Sequence, residues 1–449
     1  MKIIVPKPIA DVCHVLHDVG HQAVVVGGCV RDSILGRQPH DWDVATSALP
    51  EQVQCLFNKT VPTGLRHGTI TVLAGSDSVE VTTFRSDGEY SDGRHPDSVR
   101  LGVTLEEDLN RRDFTMNAMA YSPMTDEITD PHKGQDDIRR RVIRAVGSPE
   151  ARFREDALRM MRAARFASQL RFSIDETVFD WMDALADTIT KVSIERIRDE
   201  LLKLLAGLDP ASGLGALASS GILWKVIPEL EATVKCAQNQ YHMFDVWRHT
   251  LIVIENVPND PILRLTALLH DVAKPVVKAP HPKHPGSVQF LRHEDVGAEM
   301  ADVICQRLKL SNDERERVVK LIKLHCDPMQ LSGGNASLAA VRRFVRHVGP
   351  QDIDSMIAHV RADIIGQGKD RDPDAELADL KSKVEVVLHE KPVLATSHLA
   401  IDGRDVMQAL AVPPGAVVGK TLAALLEKVT DDPELNTREK LLELLQTMR

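Results

Sequence analysis

The sequence lacks several features that would place it in familiar classes of protein. Only 4% of its 449 residues are aromatic, and no apolar run approaches the roughly 18–20 residues that cross a bilayer. The six cysteines are scattered without a C-x-x-C pair, so we expect neither a disulfide framework nor a cysteine zinc site. Asp11, His14 and Asp18 interrupt the mildly apolar N-terminus, which argues against a secretory signal. These absences favour a globular, cytoplasmic protein without a membrane partner.

The sequence also has no overall excess of positive charge, and its formal net charge is −10. One window differs: residues 139–171 contain ten arginines and three acidic residues, a net charge of +7. A charge run of this kind is commonly a solvated helix face, but a local field can also attract phosphate or nucleic acid. Because the window contains a motif described below, we favour the binding interpretation.

The chain is long enough for two to four domains. Short β-like runs (23–26, 69–73 and 79–84) alternate with helical signals over the first 140 or so residues. From about residue 148 onward, helical periodicity replaces them, as in 155–170, 193–205 and 261–273. The pattern predicts an α+β protein in which a small α/β head is followed by an elongated, all-α remainder.

Residues 23–43 read AVVVGGCVRDSILGRQPHDWD. A β-branched strand leads into Gly27 and Gly28, after which a helix is predicted to begin. Glycines at such a turn let backbone N–H groups approach a phosphate chain closely. A glycine pair is often only a turn. This one lacks the G-K-[ST] of a P-loop and the third glycine of a dinucleotide fold, which excludes both of those families.

Asp41 and Asp43 give this segment its specificity. Residues i and i+2 of a strand point to the same side, so the two carboxylates repel each other unless a cation lies between them. That arrangement suits Mg²⁺ bound together with substrate phosphates. A polar turn is the alternative, but the glycine pair, Arg31-Asp32 and the D-x-D pair all fall within 17 residues.

This combination resembles the polymerase-β-like nucleotidyltransferases, in which a glycine turn holds the triphosphate and carboxylates hold metal. Residues 111–118, RRDFTMNA, and the DP…G…D pattern of residues 130–137 are similar to motifs of the class II, bacterial-type tRNA nucleotidyltransferases, the CCA-adding enzymes, and of bacterial poly(A) polymerases. The resemblance implies a third carboxylate at Glu80, for which an ordinary strand glutamate is the alternative. It also implies that the nucleotide is bound by Gly27, Gly28, Arg31 and Arg112.

Residues 154–166, REDALRMMRAARF, are similar to the E-D-x-x-R motif of the same family. On a continuous helix Asp156 and Arg159 are three residues apart and therefore neighbours. A carboxylate accepts from exocyclic amino groups, and a guanidinium donates to ring nitrogens and carbonyls. The resemblance implies that this pair selects CTP and ATP, with Arg162 and Arg165 as further nucleotide contacts. An exposed salt bridge on a helix is the alternative.

Class II includes CCA-adding, CC-adding and A-adding enzymes as well as poly(A) polymerases. Residues 84–102, FRSDGEYSDGRHPDSVRLG, are similar to the loop that CCA-adding enzymes use when they switch from CTP to ATP. CC-adding enzymes are understood to lack this loop. The resemblance therefore favours full CCA addition, with an A-adding enzyme or a bacterial poly(A) polymerase as alternatives.

A second resemblance follows in the middle of the chain. His249, His270-Asp271 and Asp363 are similar to the metal ligands of the HD superfamily of phosphohydrolases. Imidazole and carboxylate ligands suit a transition metal or Mg²⁺, and a bound water can then attack a phosphoester. His293 and His325 are candidate ligands of a second metal or of phosphate. Alternatively, the fold persists without turnover and the histidines only cap and pack.

These resemblances imply a head (1–142), a neck with the base-selecting helix (143–206), a body with the HD domain (207–370) and a helical tRNA-binding tail (371–449). Residues 193–203, similar to a further neck motif, are expected to pack helices. The implied reaction adds CCA to the tRNA 3′ end from CTP and ATP, releases pyrophosphate and uses Mg²⁺, with a second divalent metal as a further candidate in the HD domain. The rival interpretation makes HD phosphohydrolysis the main activity.

Overall fold

A computed structural model describes residues 2–39, 41–74, 77–88, 98–332, 334, 336–390 and 392–447. The chain folds into two compact units, Met1–Pro228 and Glu229–Arg449. Residues 89–97, nine of the 19 residues in the segment that resembles the CTP-to-ATP switching loop, lie outside the described residues. Among the helices that are described, none is both long and apolar enough to span a bilayer.

The first unit is built around a mixed sheet. Its strands are β1 (Ala23–Val26), β2 (Asp43–Thr46), β3 (Thr60–Gly64), β4 (Thr69–Ala74), β5 (Asp77–Thr83), β6 (Arg85–Asp87), β7 (Val99–Leu101), β8 (Ala120–Ser122), β9 (Glu127–Thr129), β10 (Val142–Ile143) and β11 (Ser173–Ile174). Seven of them form one sheet in the order β3-β4-β5-β2-β1-β8-β9. In this sheet β2 and β5 are parallel, and the other neighbouring strands are antiparallel. The three predicted β-like runs are thus found as β1, β4 and β5.

Burial of the central strands fixes the polar residues at their ends. All four residues of β1 are buried, as are the last three residues of β2, whereas Asp43 at the start of β2 is exposed. Val24, Val26 and Ala45 pack in one apolar cluster with Phe84 and Leu109. A rigid, buried sheet therefore carries a carboxylate at its solvent-facing edge.

The remainder of the first unit is helical. Its helices are α1 (Lys7–Asp18), α2 (Gly28–Ile34), α3 (Pro50–Leu56), α4 (Leu105–Asn110), α5 (Gly134–Arg140), α6 (Pro149–Glu155), α7 (Leu158–Leu170), α8 (Glu176–Ala184), α9 (Ile194–Leu205), α10 (Pro210–Ser219) and α11 (Ile222–Val226). The predicted periodic segments appear as α7 and α9, which pack against each other through apolar faces.

Among the described residues of the second unit, the only strands are those of a hairpin, β12 (Ala279–Pro280) and β13 (Val288–Gln289). Its helices are α12 (Val246–Asn256), α13 (Pro261–Leu269), α14 (Lys274–Val277), α15 (His293–Arg307), α16 (Asn312–Leu324), α17 (Asp327–Leu331), α18 (Leu338–Val348), α19 (Ile353–Gly366), α20 (Pro373–His389), α21 (Gly403–Leu410), α22 (Ala416–Asp431) and α23 (Arg438–Thr447). Helix α12 packs on α13 and α19, and α15 packs on α16. The predicted α+β class, a sheet-containing head followed by helices, is confirmed. The finer division into head, neck, body and tail stays a prediction.

Candidate functional site

Three carboxylates meet at one edge of the sheet in the first unit. Asp43 lies in register with Glu80 on the parallel strand β5, and Asp41 precedes Asp43 by two residues. All three line a cavity of about 830 Å³. Although Asp43 reaches solvent, loss of surrounding water raises its pKa; the Arg112 guanidinium opposes this rise, and the charges of Glu80 and Asp41 add to it. A divalent cation relieves repulsion of this kind, so the donor set fits the implied Mg²⁺.

The glycine turn lies beside this edge, because the strand residue before it, Val26, pairs with Asp43. Gly27 has a φ of +80°, which favours glycine, and α2 begins at the next residue. A Cβ on Gly27 would stand 2.8 Å from Nη1 of Arg112, so that guanidinium packs against bare backbone. Arg31 in α2 donates from Nη1 to Oδ1 of Asn117 (2.7 Å). Two guanidinium groups are thus held against the turn, an arrangement that suits a polyphosphate.

The predicted base-selecting pair does not have the geometry of a continuous helix. Helix α6 ends at Glu155 and α7 begins at Leu158, and Asp156 between them has an extended backbone (φ −149°, ψ 104°). The Asp156 carboxylate accepts the Leu158 N–H (3.1 Å) and pairs with Arg196 (Oδ2–Nη2, 2.6 Å). Arg159 pairs instead with Glu155 (Nη1–Oε2, 2.7 Å). The expectation of two neighbours on one helix is wrong, because the aspartate interrupts the helix and caps the next one.

Arg162 and Arg165 follow on α7, and each has a buried acidic partner. Arg162 pairs with Asp113 (Nη2–Oδ2, 2.6 Å), and Arg165 pairs with Glu200 of α9 (Nε–Oε2, 2.7 Å). Burial alone would raise the pKa of Asp113, but Arg162 and Arg159 outweigh this effect and lower the pKa to about 2. These two arginines are therefore fixed in place by charge before any ligand binds.

One cleft of about 690 Å³ in the first unit brings these groups together. Its lining includes the glycine turn, the D-x-D pair and the arginines of α7. The predicted site residues along it are Gly27, Gly28, Arg31, Asp41, Asp43, Arg112, Asp156, Arg159, Arg162 and Arg165. Glu80 lies in the neighbouring cavity that shares Asp41 and Asp43. Carboxylates and guanidinium groups around one space can bind a nucleoside triphosphate with its metal.

Sequence reasoning assigned no individual role to four residues that support this cleft: Asp113, Phe166, Arg196 and Glu200. The Phe166 ring centre lies 4.1 Å from the guanidinium carbon of Arg165 and 5.2 Å from that of Arg31, so it helps to hold both cations. All four residues fall within motifs that the sequence does display. Motif membership was the available signal, but their partners are distant in sequence and only the fold pairs them.

The Arg162–Asp113 pair predicts a large stability effect. Arg162→Met should lower the stability of the first unit by about 3 kcal/mol, since it leaves the Asp113 carboxylate buried without its main partner. The matched control is Arg154→Met, whose exposed ion pair with Glu150 contributes less than about 1 kcal/mol. Thermal unfolding of the full-length variants, followed by circular dichroism, measures both. Equal shifts for the two variants would contradict the assignment of a buried pair.

The second unit brings together the four residues of the HD pattern. His249 comes from α12, His270 and Asp271 follow α13, and Asp363 comes from α19. Nε2 of His249 lies 3.2 Å from Nε2 of His270, 3.4 Å from Oδ2 of Asp271 and 3.0 Å from Oδ1 of Asp363. Donor atoms of two imidazoles and two carboxylates that converge in this way fit a divalent cation.

Asp271 also faces a second histidine pair. Nε2 of His293 lies 3.6 Å from Oδ1 of Asp271 and 3.3 Å from Nε2 of His325. Asp271 is 1% exposed, and within the described part of the chain neither of its oxygens has a hydrogen-bond partner, although Lys274 Nζ forms an ion pair with Oδ2 at 2.7 Å. Because Lys274 contacts Oδ2 and leaves the buried Oδ1 without a hydrogen bond, which is unfavourable, the site fits a bound cation.

The titration of these groups favours positive charge at the centre of the cluster. Burial would lower the pKa of His270, but Asp271 and Asp363 outweigh it and raise the pKa to about 10. Burial and the neighbouring His293 and His270 lower the pKa of His325 to about 3. The carboxylates therefore stabilise a cation, whether a protonated imidazole or a metal, while His325 stays neutral and able to bind metal.

Comparison with known families assigns the cleft of the first unit and the HD cluster of the second to different families. Residues 23–144 match the family described as "Poly A polymerase head domain" and residues 171–233 match "Probable RNA and SrmB- binding site of polymerase A". Residues 240–381 match the HD domain family. The fold and the cleft of the first unit therefore define a nucleotidyltransferase.

Individual relatives narrow this class. The CCA-adding enzyme of Lactiplantibacillus plantarum is 34% identical over 437 residues, which is 97% of this chain and 94% of that relative. That of Levilactobacillus brevis is 47% identical over 218 residues, so the match covers 49% of this chain but only 54% of that relative. The crystal structure of the Bacillus stearothermophilus CCA-adding enzyme in complex with CTP is 29% identical, with a TM-score of 0.73 over 99% of this chain and 98% of that chain. This chain belongs to the family of CCA-adding enzymes.

Proposed function

We propose that this chain adds CCA to the 3′ end of tRNA from CTP and ATP, without a nucleic-acid template. The observation that carries the proposal is the single cleft that both the D-x-D carboxylates and the side chains of Asp156 and Arg159 line. Membership in the family of CCA-adding enzymes supports it. So does the likeness to the Bacillus stearothermophilus enzyme, whose structure contains CTP.

In the proposed reaction, the 3′-hydroxyl of tRNA gives its proton to solvent water and its oxygen bonds to the α-phosphorus of the nucleotide, while the bond between that phosphorus and pyrophosphate breaks. Asp41 and Asp43 would hold Mg²⁺, with Glu80 as the third carboxylate at the same strand edge. A metal held there would supply positive charge that stabilises the attacking and leaving oxygens. Asp43 and Glu80 lie in register on paired strands, which fixes their spacing in advance.

The glycine turn and two arginines would hold the triphosphate. Gly27 and Gly28 offer backbone without side chains, and Arg112 already packs against that backbone. Arg31 is oriented by its bond to Asn117. Guanidinium groups bind phosphate through paired, charge-assisted hydrogen bonds, so these residues orient the reacting phosphorus towards the carboxylates.

Base selection is proposed for Asp156 and Arg159, which present an acceptor and several donors to the cleft. A carboxylate can accept from the exocyclic amino groups of cytosine and adenine, whereas the carbonyl at the corresponding position of uracil and guanine would face it as a second acceptor. Arg196 and Glu155 hold these two side chains in the free protein. Such pre-orientation lowers the entropy lost on nucleotide binding. Arg162 and Arg165 would complete the lining of the cleft.

The experiment that tests the proposal sequences the 3′ ends made on a tRNA that stops at its discriminator base. With CTP alone we expect two cytidines and no more, with ATP alone no efficient addition, and with both nucleotides a complete CCA. Addition of adenosine only to a tRNA that already ends in CC would identify an A-adding enzyme. Long adenosine tracts from ATP alone would identify a poly(A) polymerase.

A second candidate function rests on a separate observation, the converging HD residues of the second unit. We propose that His249, His270, Asp271 and Asp363 hold a divalent metal and support phosphoester hydrolysis. The ammonium of Lys274, 2.7 Å from Asp271, can contact a phosphate oxygen from the same side. The proposed substrate class is a phosphomonoester or a cyclic phosphodiester.

The two proposed activities should be separable. His270→Ala combined with Asp271→Ala should keep CCA addition within about threefold of the parent, because every residue that lines the cleft belongs to Met1–Pro228. The same variant should lose divalent-dependent phosphatase or cyclic phosphodiesterase activity. His284→Ala, a change at an exposed residue in the hairpin of the second unit, is the control for both assays. A folded double variant without CCA addition would show that the sites are coupled.

The proposed location is the cytoplasm, where tRNA is the substrate. The six cysteines, Cys13, Cys29, Cys55, Cys236, Cys305 and Cys326, are all free. Unpaired thiols suit a reducing compartment, which supports this location.

A further inference from the structure

Cys326 stands beside the second histidine pair of the HD cluster. Its Sγ lies 3.5 Å from Nε2 of His325 and 3.8 Å from Nε2 of His293, and the two Nε2 atoms are 3.3 Å apart. The thiol is partly exposed, whereas His325 is buried. Three donor atoms of metal-binding type therefore lie within 3.8 Å of one another.

The hydrogen bonds of both histidines leave these Nε2 atoms free to bind metal. Nδ1 of His325 lies 2.6 Å from the carbonyl oxygen of Ile322, and Nδ1 of His293 lies 2.9 Å from that of Phe290. Since a carbonyl can only accept, each Nδ1 carries the proton and, in the neutral ring, each Nε2 carries a lone pair. Two lone pairs 3.3 Å apart repel each other, and a cation between them removes the repulsion.

The spacing of the three atoms matches a tetrahedral ion of the zinc type. With Zn–N bonds of about 2.0–2.1 Å and Zn–S bonds of about 2.3 Å, a tetrahedral ion sets its nitrogens about 3.3–3.4 Å apart and its sulfur about 3.5–3.6 Å from each nitrogen. The distances in the protein are 3.3, 3.5 and 3.8 Å. Ångström-scale rearrangement is not needed for these side chains to bind such an ion.

Asp271 gives this group a fourth donor and links it to the HD residues. Its Oδ1 faces His293 at 3.6 Å, whereas its Oδ2 faces His270 at 3.1 Å and His249 at 3.4 Å. One carboxylate can therefore bridge two cations, one held by imidazoles and carboxylates and one by imidazoles and sulfur.

We propose that His293, His325 and Cys326 bind a thiophilic divalent cation such as Zn²⁺ or Co²⁺, with the cysteine as thiolate ligand and Oδ1 of Asp271 as the bridge. Sulfur favours such cations over Mg²⁺, so this half of the centre selects a different metal from the nucleotidyl-transfer cleft. The site goes beyond CCA addition and does not depend on it. It deepens the second candidate function and rests on it, because the bridging carboxylate of Asp271 also belongs to the HD metal site proposed there. A search for C-x-x-C pairs misses this site, because a single cysteine supplies the sulfur.

The test is a Co²⁺ titration of the full-length, metal-stripped and reduced protein. The parent should develop a thiolate-to-cobalt charge-transfer band in the near ultraviolet and bind two ions in the second unit. Cys326→Ser should lose that band and bind the ion at this half at least about tenfold more weakly. Cys305→Ala, a buried cysteine of the same unit outside the cluster, should keep both the band and the affinity, and so should the exposed Cys55→Ser.

Each other outcome has a distinct meaning. Cobalt binding by the parent without a thiolate band overturns the role of Cys326 but leaves the HD metal in place. A band that persists in Cys326→Ser also overturns the role of Cys326. No cobalt binding above that of a His270→Ala, Asp271→Ala variant overturns both this inference and the HD metal. Cys326→Ser should add CCA at the parental rate. If the parent shows the band but does not add CCA, the proposed main function is rejected and the metal site is not. If Cys326→Ser does not fold, the parental spectrum still decides.

Discussion

Asp43→Asn should reduce incorporation of both CMP and AMP by on the order of 10³-fold or more, while the protein stays folded. The loss follows from the position of Asp43, which lies in register with Glu80 and two residues from Asp41 at a solvent-facing strand edge. A metal that neutralises charge on the transferring phosphate lowers the activation barrier by several kcal/mol, and each 1.36 kcal/mol changes the rate about tenfold. Single-turnover incorporation from saturating CTP and then ATP, at several Mg²⁺ concentrations, measures the effect.

Asp18→Asn is the matched control, since it makes the same chemical change in an exposed residue at the end of α1. It should behave like the parent with both nucleotides. If folded Asp43→Asn kept more than a few per cent of parental CMP incorporation, Asp43 would not be a metal ligand. If it lost only AMP incorporation, the two nucleotides would not share one set of carboxylates.

The second large effect concerns the choice of base. Arg159→Ile should reduce discrimination against UTP and GTP by about 10–100-fold if Arg159 donates to the base as proposed, because one well-placed pairing contributes about 1–3 kcal/mol of discrimination. The triphosphate contacts of Arg31 and Arg112 would remain, so chemistry should slow less than selectivity falls. The kcat/KM values for all four nucleotides on the same tRNA give the measurement.

Arg154→Ile controls for the loss of an arginine in the same stretch, because Arg154 is 59% exposed and does not line the cleft. A lower rate with unchanged ratios among the four nucleotides would make Arg159 a structural residue. Since its partner Glu155 would also be released, Glu155→Gln should be measured alongside. A loss of selectivity in Glu155→Gln smaller than that in Arg159→Ile would support a direct role for the arginine.

Local sequence pattern was sufficient where a structure depends on neighbouring residues. The β-branched run 23–26 and the glycines after it predicted β1 and the turn, and apolar residues at three- and four-residue steps predicted α9. The register of Asp43 with Glu80 was different, because it arises from the parallel pairing of β2 with β5. Nothing in either strand alone encodes its partner, and only family resemblance suggested that the carboxylates meet.

The break at Asp156 shows where periodicity misleads. Apolar spacing continues across residues 155–170, so a helical pattern can be drawn through the aspartate. The side chain of Asp156 instead caps α7 and reaches Arg196, a residue 40 positions away. Whether an aspartate continues a helix or caps the next one depends on such a partner, and the partner becomes visible only in the folded chain.

The HD cluster depends on long-range packing in the same way. Its histidines and aspartates come from helices between α12 and α19, and the motif suggested four of them as one set. Cys326 belongs to no recognised spacing. It directly follows His325, and the packing of α15 on α16 brings it within reach of His293. Packing between elements, not the local residue pattern, determines which donor atoms converge.

The most direct test of the central claim supplies a tRNA ending at its discriminator base with all four nucleoside triphosphates together. Deep sequencing of the products then reads both the choice of base and the point at which synthesis stops. One cleft that selects cytidine and then adenosine predicts that most completed 3′ ends read CCA and do not grow further. Products dominated by adenosine tracts or by random bases, or a tRNA left without added cytidines, would contradict the proposed function.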